Sequence, residues 1–348
     1  MNAAHGASAP LLRPKIVRLG PNLCGAAFSL MKIVPAHHIL RAALREGRIG
    51  PETTIVESTS GTFGLALAIE AALIGRPLVL VSDPAMDPRL LRRVRDLGAR
   101  VEICDTPSAL GEYQSVRLEA LARIREEISD HFWPCQYDNY LNPDSYAGAA
   151  DDIRSEIGEI DALVGPVGSG GSMSGLVRRI REFSDIEAVA VDTPGSILFG
   201  CPDRERELRG LGNSIMPRNL DHALFDSVHW CGAGIAYRAT RQLHRRHTVF
   251  QGPTSGAAYL VARWMSAQSP DRIFVAIMPD DGTRYLDTVY DDAWLAGHRY
   301  QREVADAALA RGPQLVSGPE YAEGDWSMYP WARRSLADVA AQSTMTAV

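Results

Sequence analysis

The chain has 348 residues, room for about two domains at the usual ~150 residues each. Lys and Arg total 36 against 42 acidic residues, a net charge of −6, which argues against phosphate-backbone binding and hence a nucleic-acid partner. No apolar run reaches the ~20 residues that cross a bilayer, and residues 1–10 lack the pattern of a secretory signal, so a soluble cytoplasmic protein is expected.

Residues 1–15 read as a loose arm. From about residue 35 to 290, short β-rich apolar runs alternate with amphipathic stretches. Pro35 opens a predicted helix that Gly47 closes, and the strand Thr53–Val56 leads to a helix over Thr62–Gly75. A strand at Pro77–Ser82 precedes the helix Asp87–Leu97, which stops at Gly98. Next come the strand Arg100–Cys104 and a long helix over Ser108–Ser129, charged on one face. Further on, the strand Ala162–Pro166 feeds a helix over Met173–Glu182, followed by strands Ala188–Asp192 and Arg272–Met278. Such alternation implies an α/β fold with mostly parallel sheets covered by helices. After Ala296 the pattern weakens, and Arg311–Tyr329 is rich in Gly, Pro, Ser and charge. This tail is expected to be disordered or to wrap a neighbouring subunit, with Trp326 and Trp331 favouring docking. Five scattered cysteines without a C-x-x-C pair fit a reducing compartment and read as buried apolar thiols.

Three segments carry chemistry. Gly168-Ser-Gly-Gly-Ser172 follows the apolar run Leu163–Val167 and opens a helix, so backbone N–H groups, the helix dipole and serine hydroxyls converge on an anion. The missing Gly-Lys-Ser ending disfavours a nucleoside triphosphate. Phosphate binding leads; a dinucleotide, with Asp192 on the ribose, and a plain tight turn remain open, although Met173 stands where G-x-G-x-x-G needs glycine. Glu57-Ser-Thr-Ser-Gly-Thr-Phe-Gly64 also joins a strand to a helix, either holding a small carboxylate or serving as an ordinary cap. Lys32, amid Ala27–Val34, is costly to bury as a cation, so it snorkels, has a depressed pKa or takes a covalent partner such as an aldehyde. His37, His38, His244 and His247 read as ordinary helix residues.

In this order, over residues 20–295, the segments resemble the cysteine synthase family of fold-type II pyridoxal phosphate enzymes. Lys32 precedes Thr59 by the family's spacing between its Schiff-base lysine and its Thr-Ser-Gly-Asn-Thr-Gly loop. Gly168–Ser172 is similar to the family's Gly-Thr-Gly-Gly-Thr phosphate cup. Gln136-Tyr-Asp-Asn-Tyr-Leu-Asn-Pro143, Gly252-Pro-Thr-Ser-Gly256 and Pro279-Asp-Asp-Gly-Thr-Arg-Tyr-Leu286 resemble three further family segments.

The resemblance implies a two-domain fold, tryptophan synthase β-like, with a large cofactor-binding domain (1–35 and 146–298), a smaller mobile domain (36–145) and a C-terminal extension (299–348). It implies β-replacement on O-acetylserine or O-phosphoserine through an aminoacrylate, in a cytoplasmic homodimer. Lys32 would bind pyridoxal 5′-phosphate and act as base at Cα. Thr59, Ser60, Gly61 and Gln136 would hold the substrate carboxylate. Gly168, Ser169, Gly170, Gly171 and Ser172 would take the cofactor phosphate, Thr62 its 3′-oxygen and Thr254 its pyridine nitrogen. No metal is implied.

Departures from the family pattern bear on the reaction. Leu30-Met-Lys-Ile-Val34 replaces the usual surroundings of the lysine, Thr62 replaces an asparagine, and Asn213 ends a Gly210-Leu-Gly-Asn loop where alanine is usual. His131–Asn139 and Gly111-Glu-Tyr-Gln114 resemble a subgroup that makes diaminopropionate precursors from O-phosphoserine and glutamate, with Arg209 a candidate for the leaving phosphate. Alternatives to the synthase reading are C–N bond formation of that kind, cysteine desulfhydrase-type elimination, a non-catalytic binding protein on this scaffold, and a nicotinamide-dependent oxidoreductase.

Overall fold

In the computed structural model, which describes residues 8–108, 113–208, 210–297 and 311–346, the chain forms two units with a sheet in each. Leu30–Ser145 with residues 8–12 form the smaller; Arg13–Ser29 with residues 146–346 form the larger. The described strands are β1 (Lys15–Arg18), β2 (Leu23–Ala27), β3 (Thr54–Ser58), β4 (Leu78–Ser82), β5 (Arg100–Ile103), β6 (His131–Phe132), β7 (Ala162–Pro166), β8 (Glu187–Asp192), β9 (Ser227–Cys231), β10 (Phe274–Met278), β11 (Gln314–Leu315) and β12 (Trp326–Pro330). Helices are α1 (Ile33–Arg45), α2 (Thr62–Ile74), α3 (Pro88–Asp96), α4 (Tyr113–Glu127), α5 (Leu141–Asp144), α6 (Ala147–Ile157), α7 (Gly171–Arg181), α8 (Ala233–His247), α9 (Pro253–Gln268), α10 (Asp292–Gly297) and α11 (Leu336–Thr346).

The smaller unit is a parallel four-stranded sheet in the order β5-β4-β3-β6. Val56, Val79 and Val81 on the central strands pack against Leu121 and Ile124, which lie three residues apart on α4. Helices α1 and α2 are joined by His37 Nδ1 and Glu70 Oε2, 3.0 Å apart. A parallel sheet gathers the ends of its strands, so the segments after β3, β4 and β6 share one edge.

The larger unit is an eight-stranded sheet in the order β1-β2-β10-β7-β8-β9-β12-β11. Its centre is parallel, and antiparallel pairs occur at β1–β2 and β9–β12. Strands β7, β9 and β10 are buried along their whole length, as strands covered on both faces must be. Leu260, Val261 and Ala262 of α9 join Ile235, Ala236 and Leu243 of α8 in the core.

The described tail is ordered against its own unit: β12 pairs with β9, and β11 with β12. Trp326 is buried and donates its indole N–H to His229 Nδ1 at 3.2 Å. Trp331 is also buried, its ring edge-to-face with Phe199 at 5.2 Å between centroids. Burying two indoles inside one unit outweighs the polar composition around them.

Candidate active site

Lys32 immediately precedes α1, between buried Met31 and Ile33. It keeps some surface open to solvent, yet the protein around it is dense enough that desolvation lowers the amine pKa from 10.5 to about 8. The full sequence holds only two lysines, Lys15 and Lys32, the rest of its 36 Lys and Arg residues being arginine. Lys15 lies exposed on β1. An arginine cannot form a Schiff base, so this chain offers two ε-amines for such chemistry, one exposed and one half-buried.

Thr59, Ser60 and Gly61 form the turn between β3 and α2. The Thr59 N–H donates to the Val81 carbonyl at 2.9 Å, and its hydroxyl oxygen accepts from the Gly61 N–H at 3.2 Å. Gly61 is the helix cap and carries no side chain, so the start of α2 has no side-chain cap. Gly64 is required by packing: a Cβ there would sit 3.0 Å from Thr59 Cγ2 and 3.1 Å from Leu80 Cδ1. Thr62, the first residue of α2, is half-buried.

Glu57, the residue two before Thr59, is buried, and the N–H groups of Ser58, Trp133, Gln136 and Cys135 hydrogen-bond its carboxylate. Oε1 accepts from the Ser58 N–H at 2.9 Å and from Trp133 Nε1 at 3.0 Å, and Oε2 accepts from the Gln136 N–H at 3.2 Å. Burial pushes this carboxyl up to about 7, opposed by those hydrogen bonds. Gln136 is buried, and its carbonyl accepts from Asn142 Nδ2 at 2.7 Å.

In the larger unit, Gly168–Ser172 lead from β7 into α7. Gly170 caps the helix at φ 76°, a left-handed conformation that costs any other residue strain. A Cβ there would also lie 2.6 Å from Leu220 Cα, so the turn packs against that backbone and admits no side chain. Ser169 is buried and Ser172 half-buried. The Gly212 N–H donates to the Val167 carbonyl at 2.9 Å, bringing the 210–213 loop against the cradle. Gly168 faces the Gly210 carbonyl, and Gly210 faces Thr254 Cγ2 at 3.5 Å from an added Cβ. Cradle, loop and buried Thr254 thus share one corner of this unit. The closing segment packs below: the Gly252 N–H donates to the Asp280 carbonyl at 2.9 Å, and the Tyr285 hydroxyl donates to Asp280 Oδ2 at 2.8 Å.

Asp192 is not placed to meet a ribose. It is fully buried, accepts from the Thr193 N–H at 2.8 Å, and is pushed up to about 7 by desolvation. Asn213 Oδ1 accepts from the Ile215 N–H at 3.2 Å, capping its own turn. Arg209 and the Gly111-Glu112 pair lie outside the described residues. All five cysteines are free, and burial raises every thiol pKa, so none is an activated nucleophile. His247 Nε2 lies 3.0 Å from the Tyr259 hydroxyl, and no metal-ligand cluster occurs among the described residues. Sequence reasoning missed Glu57 as an anchor and the scarcity of lysine; the second needed only a count.

Comparison with known proteins now decides the class. A family model described as pyridoxal-phosphate dependent enzyme matches residues 29–280. The chain belongs to that family. Its cofactor is pyridoxal phosphate, and it is an enzyme of amino-acid chemistry. It is 37% identical over 291 residues to the N-(2-amino-2-carboxyethyl)-L-glutamate synthase of Cupriavidus metallidurans, 81% of this chain and 84% of that protein. The O-acetylserine dependent cystathionine β-synthase from Helicobacter pylori superposes with a TM-score of 0.75 at 25% identity, covering 83% of this chain and 98% of that one. A cysteine synthase from Entamoeba histolytica shares the fold, with a TM-score of 0.73 at 22% identity over 84% of this chain and 94% of that one. The nicotinamide reading falls with these matches. Among the described residues no helix is long and apolar enough to cross a membrane.

Proposed function

We propose that this enzyme replaces the β-substituent of an O-activated L-serine, O-acetylserine or O-phosphoserine, with an incoming nucleophile. The observation that carries the reading is Lys32, the half-buried one of the chain's two lysines, with its amine pKa lowered to about 8. An amine so tuned is about a tenth neutral at pH 7, enough to condense with an aldehyde and then to accept a proton from Cα.

The residues present fit the cofactor. Gly168–Ser172 offers two serine hydroxyls beside a helix start with no side-chain cap, and glycine at 170 keeps any side chain out of the turn, the donor set a phosphate monoester needs. When bound, pyridoxal phosphate withdraws electrons from the substrate Cα and so eases departure of a β-leaving group. Thr254 would offer the pyridine nitrogen a neutral hydroxyl, which does not enforce ring protonation and so favours elimination at the β-carbon over long-lived carbanions. Thr62 would meet the 3′-oxygen. Thr59, Ser60 and Gly61 would take the substrate carboxylate at the start of α2, where N–H groups and helix dipole favour an anion, and Gln136 would add a donor.

The 37% identical relative bears a name that joins a 2-amino-2-carboxyethyl group to glutamate, and this favours the amine of L-glutamate as nucleophile. Sulfide, as in a cysteine synthase, is the second reading, favoured by the shared fold. A homodimer, a cytoplasmic location suited to five free thiols, and a mobile smaller domain with a C-terminal extension complete the proposal. Light scattering tests the dimer. The decisive assay incubates holoenzyme with O-acetyl-L-serine or O-phospho-L-serine, with L-glutamate or sulfide, and identifies products by mass spectrometry. A glutamate adduct is expected. Cysteine would select the second reading, and pyruvate alone would overturn replacement.

A further inference from the structure

We propose that Glu57 is a positioning residue, fixing Gln136 against the Thr59–Gly61 turn so that the two act together on the substrate carboxylate. The inference deepens the proposed function and rests on its assignment of that turn and of Gln136.

The geometry is that of a bracket. Glu57 lies on β3, one residue before the strand's end, and Thr59 follows two residues later, so its backbone is continuous with the turn. Its side chain reaches 76 residues along the chain to Trp133 Nε1 and 79 to the Gln136 N–H. Strand β6 is only two residues long and leaves the following segment without a ladder. Cys135, in that segment, adopts φ 52°, a conformation disfavoured for a side chain, so the path needs an external hold. Glu57 supplies it on one side of Gln136, and Asn142 Nδ2 on the other. Trp133 is itself braced, its ring 4.5 Å beneath the Arg125 guanidinium. A buried carboxylate is costly for stability alone, and an apolar residue would fill the space at less cost. The N–H donors converging on it set a distance that apolar packing would not.

The test uses holoenzyme carrying Glu57→Gln, Trp133→Phe, both, or Thr59→Val, with whichever of O-acetyl-L-serine and O-phospho-L-serine the wild type consumes. In Glu57→Gln the new amide NH2 must face N–H donors on either side it adopts, so one link of the bracket opens. Expected are retained cofactor absorption, a KM for the donor raised about tenfold, and kcat within about threefold of wild type. Trp133→Phe is expected to raise KM about threefold. The double variant should fall short of the product of the two, because the amide no longer meets the indole N–H. Should Glu57→Gln fail to fold, Trp133→Phe still carries the test through the same split between KM and kcat. An unchanged KM in the variant tested, alongside a raised KM in Thr59→Val, would overturn the role of Glu57 and leave the proposed function standing. If Thr59→Val also keeps its KM, the carboxylate assignment itself is wrong, and the role of Glu57 falls with it.

Discussion

The two units each present a strand, a glycine-capped turn and a helix, yet the glycines are there for different reasons. Gly170 of the larger unit is left-handed and pressed against the Leu220 backbone. Gly61 of the smaller unit has an ordinary φ of −119°, and an added Cβ would meet nothing within 4 Å. The larger unit supplies a shape that cannot change. The smaller supplies groups whose hydrogen bonds and proton states matter: Thr59, Gln136 and Lys32.

Gly170→Ala is the harshest way to probe that contrast. Positive φ and a Cβ 2.6 Å from backbone should together cost about 3 kcal/mol or more, with loss of tight cofactor binding, read by thermal denaturation and by cofactor retention on dialysis. Thr59→Val should come next, keeping the cofactor and the fold while weakening donor binding by about 1–3 kcal/mol, seen as a raised KM. The proton state of Lys32 gives a third, milder effect. Reconstitution of apoenzyme with pyridoxal phosphate should accelerate as pH rises to about 8 and level off above it, instead of climbing towards 10.5. The same shift has a sign for stability: between these values the unfolded chain holds the extra proton, so Lys32 makes folding more favourable as pH rises from 8 to 10.5. Gly61→Ala should be gentlest, within about 1 kcal/mol of wild-type stability. A fall as large as that of Gly170→Ala would erase the distinction between the turns.

Much of this was legible before any coordinates. The strands Ala162–Pro166 and Phe274–Met278, both within predicted runs, are continuously apolar because both faces are covered, and the helix after the first begins at a glycine. Strand β9 was not legible: Ser227 and His229 interrupt its hydrophobic pattern, although both are buried. Strands β1 and β2 were also not predicted: they start at the end of the arm expected over residues 1–15 and finish before the first predicted helix at Pro35, where the regular alternation begins. The tail misled for the opposite reason, since composition reports the loop around Gly318–Asp325 and not the pairing of Trp326 with Cys231. At the site, Lys32, both turns and Thr254 followed from motif order. Glu57 did not, because its meaning lies in partners 76 and 79 residues away that no local pattern reveals.

The central claim is that Lys32 carries the cofactor, and the scarcity of lysine makes it directly testable. Holoenzyme reduced with borohydride, digested and mapped by mass spectrometry has only Lys15 and Lys32 as candidate side chains. The account expects the phosphopyridoxyl mass on the peptide containing Lys32 and none on the other. Label on Lys15, or on neither lysine, would contradict it.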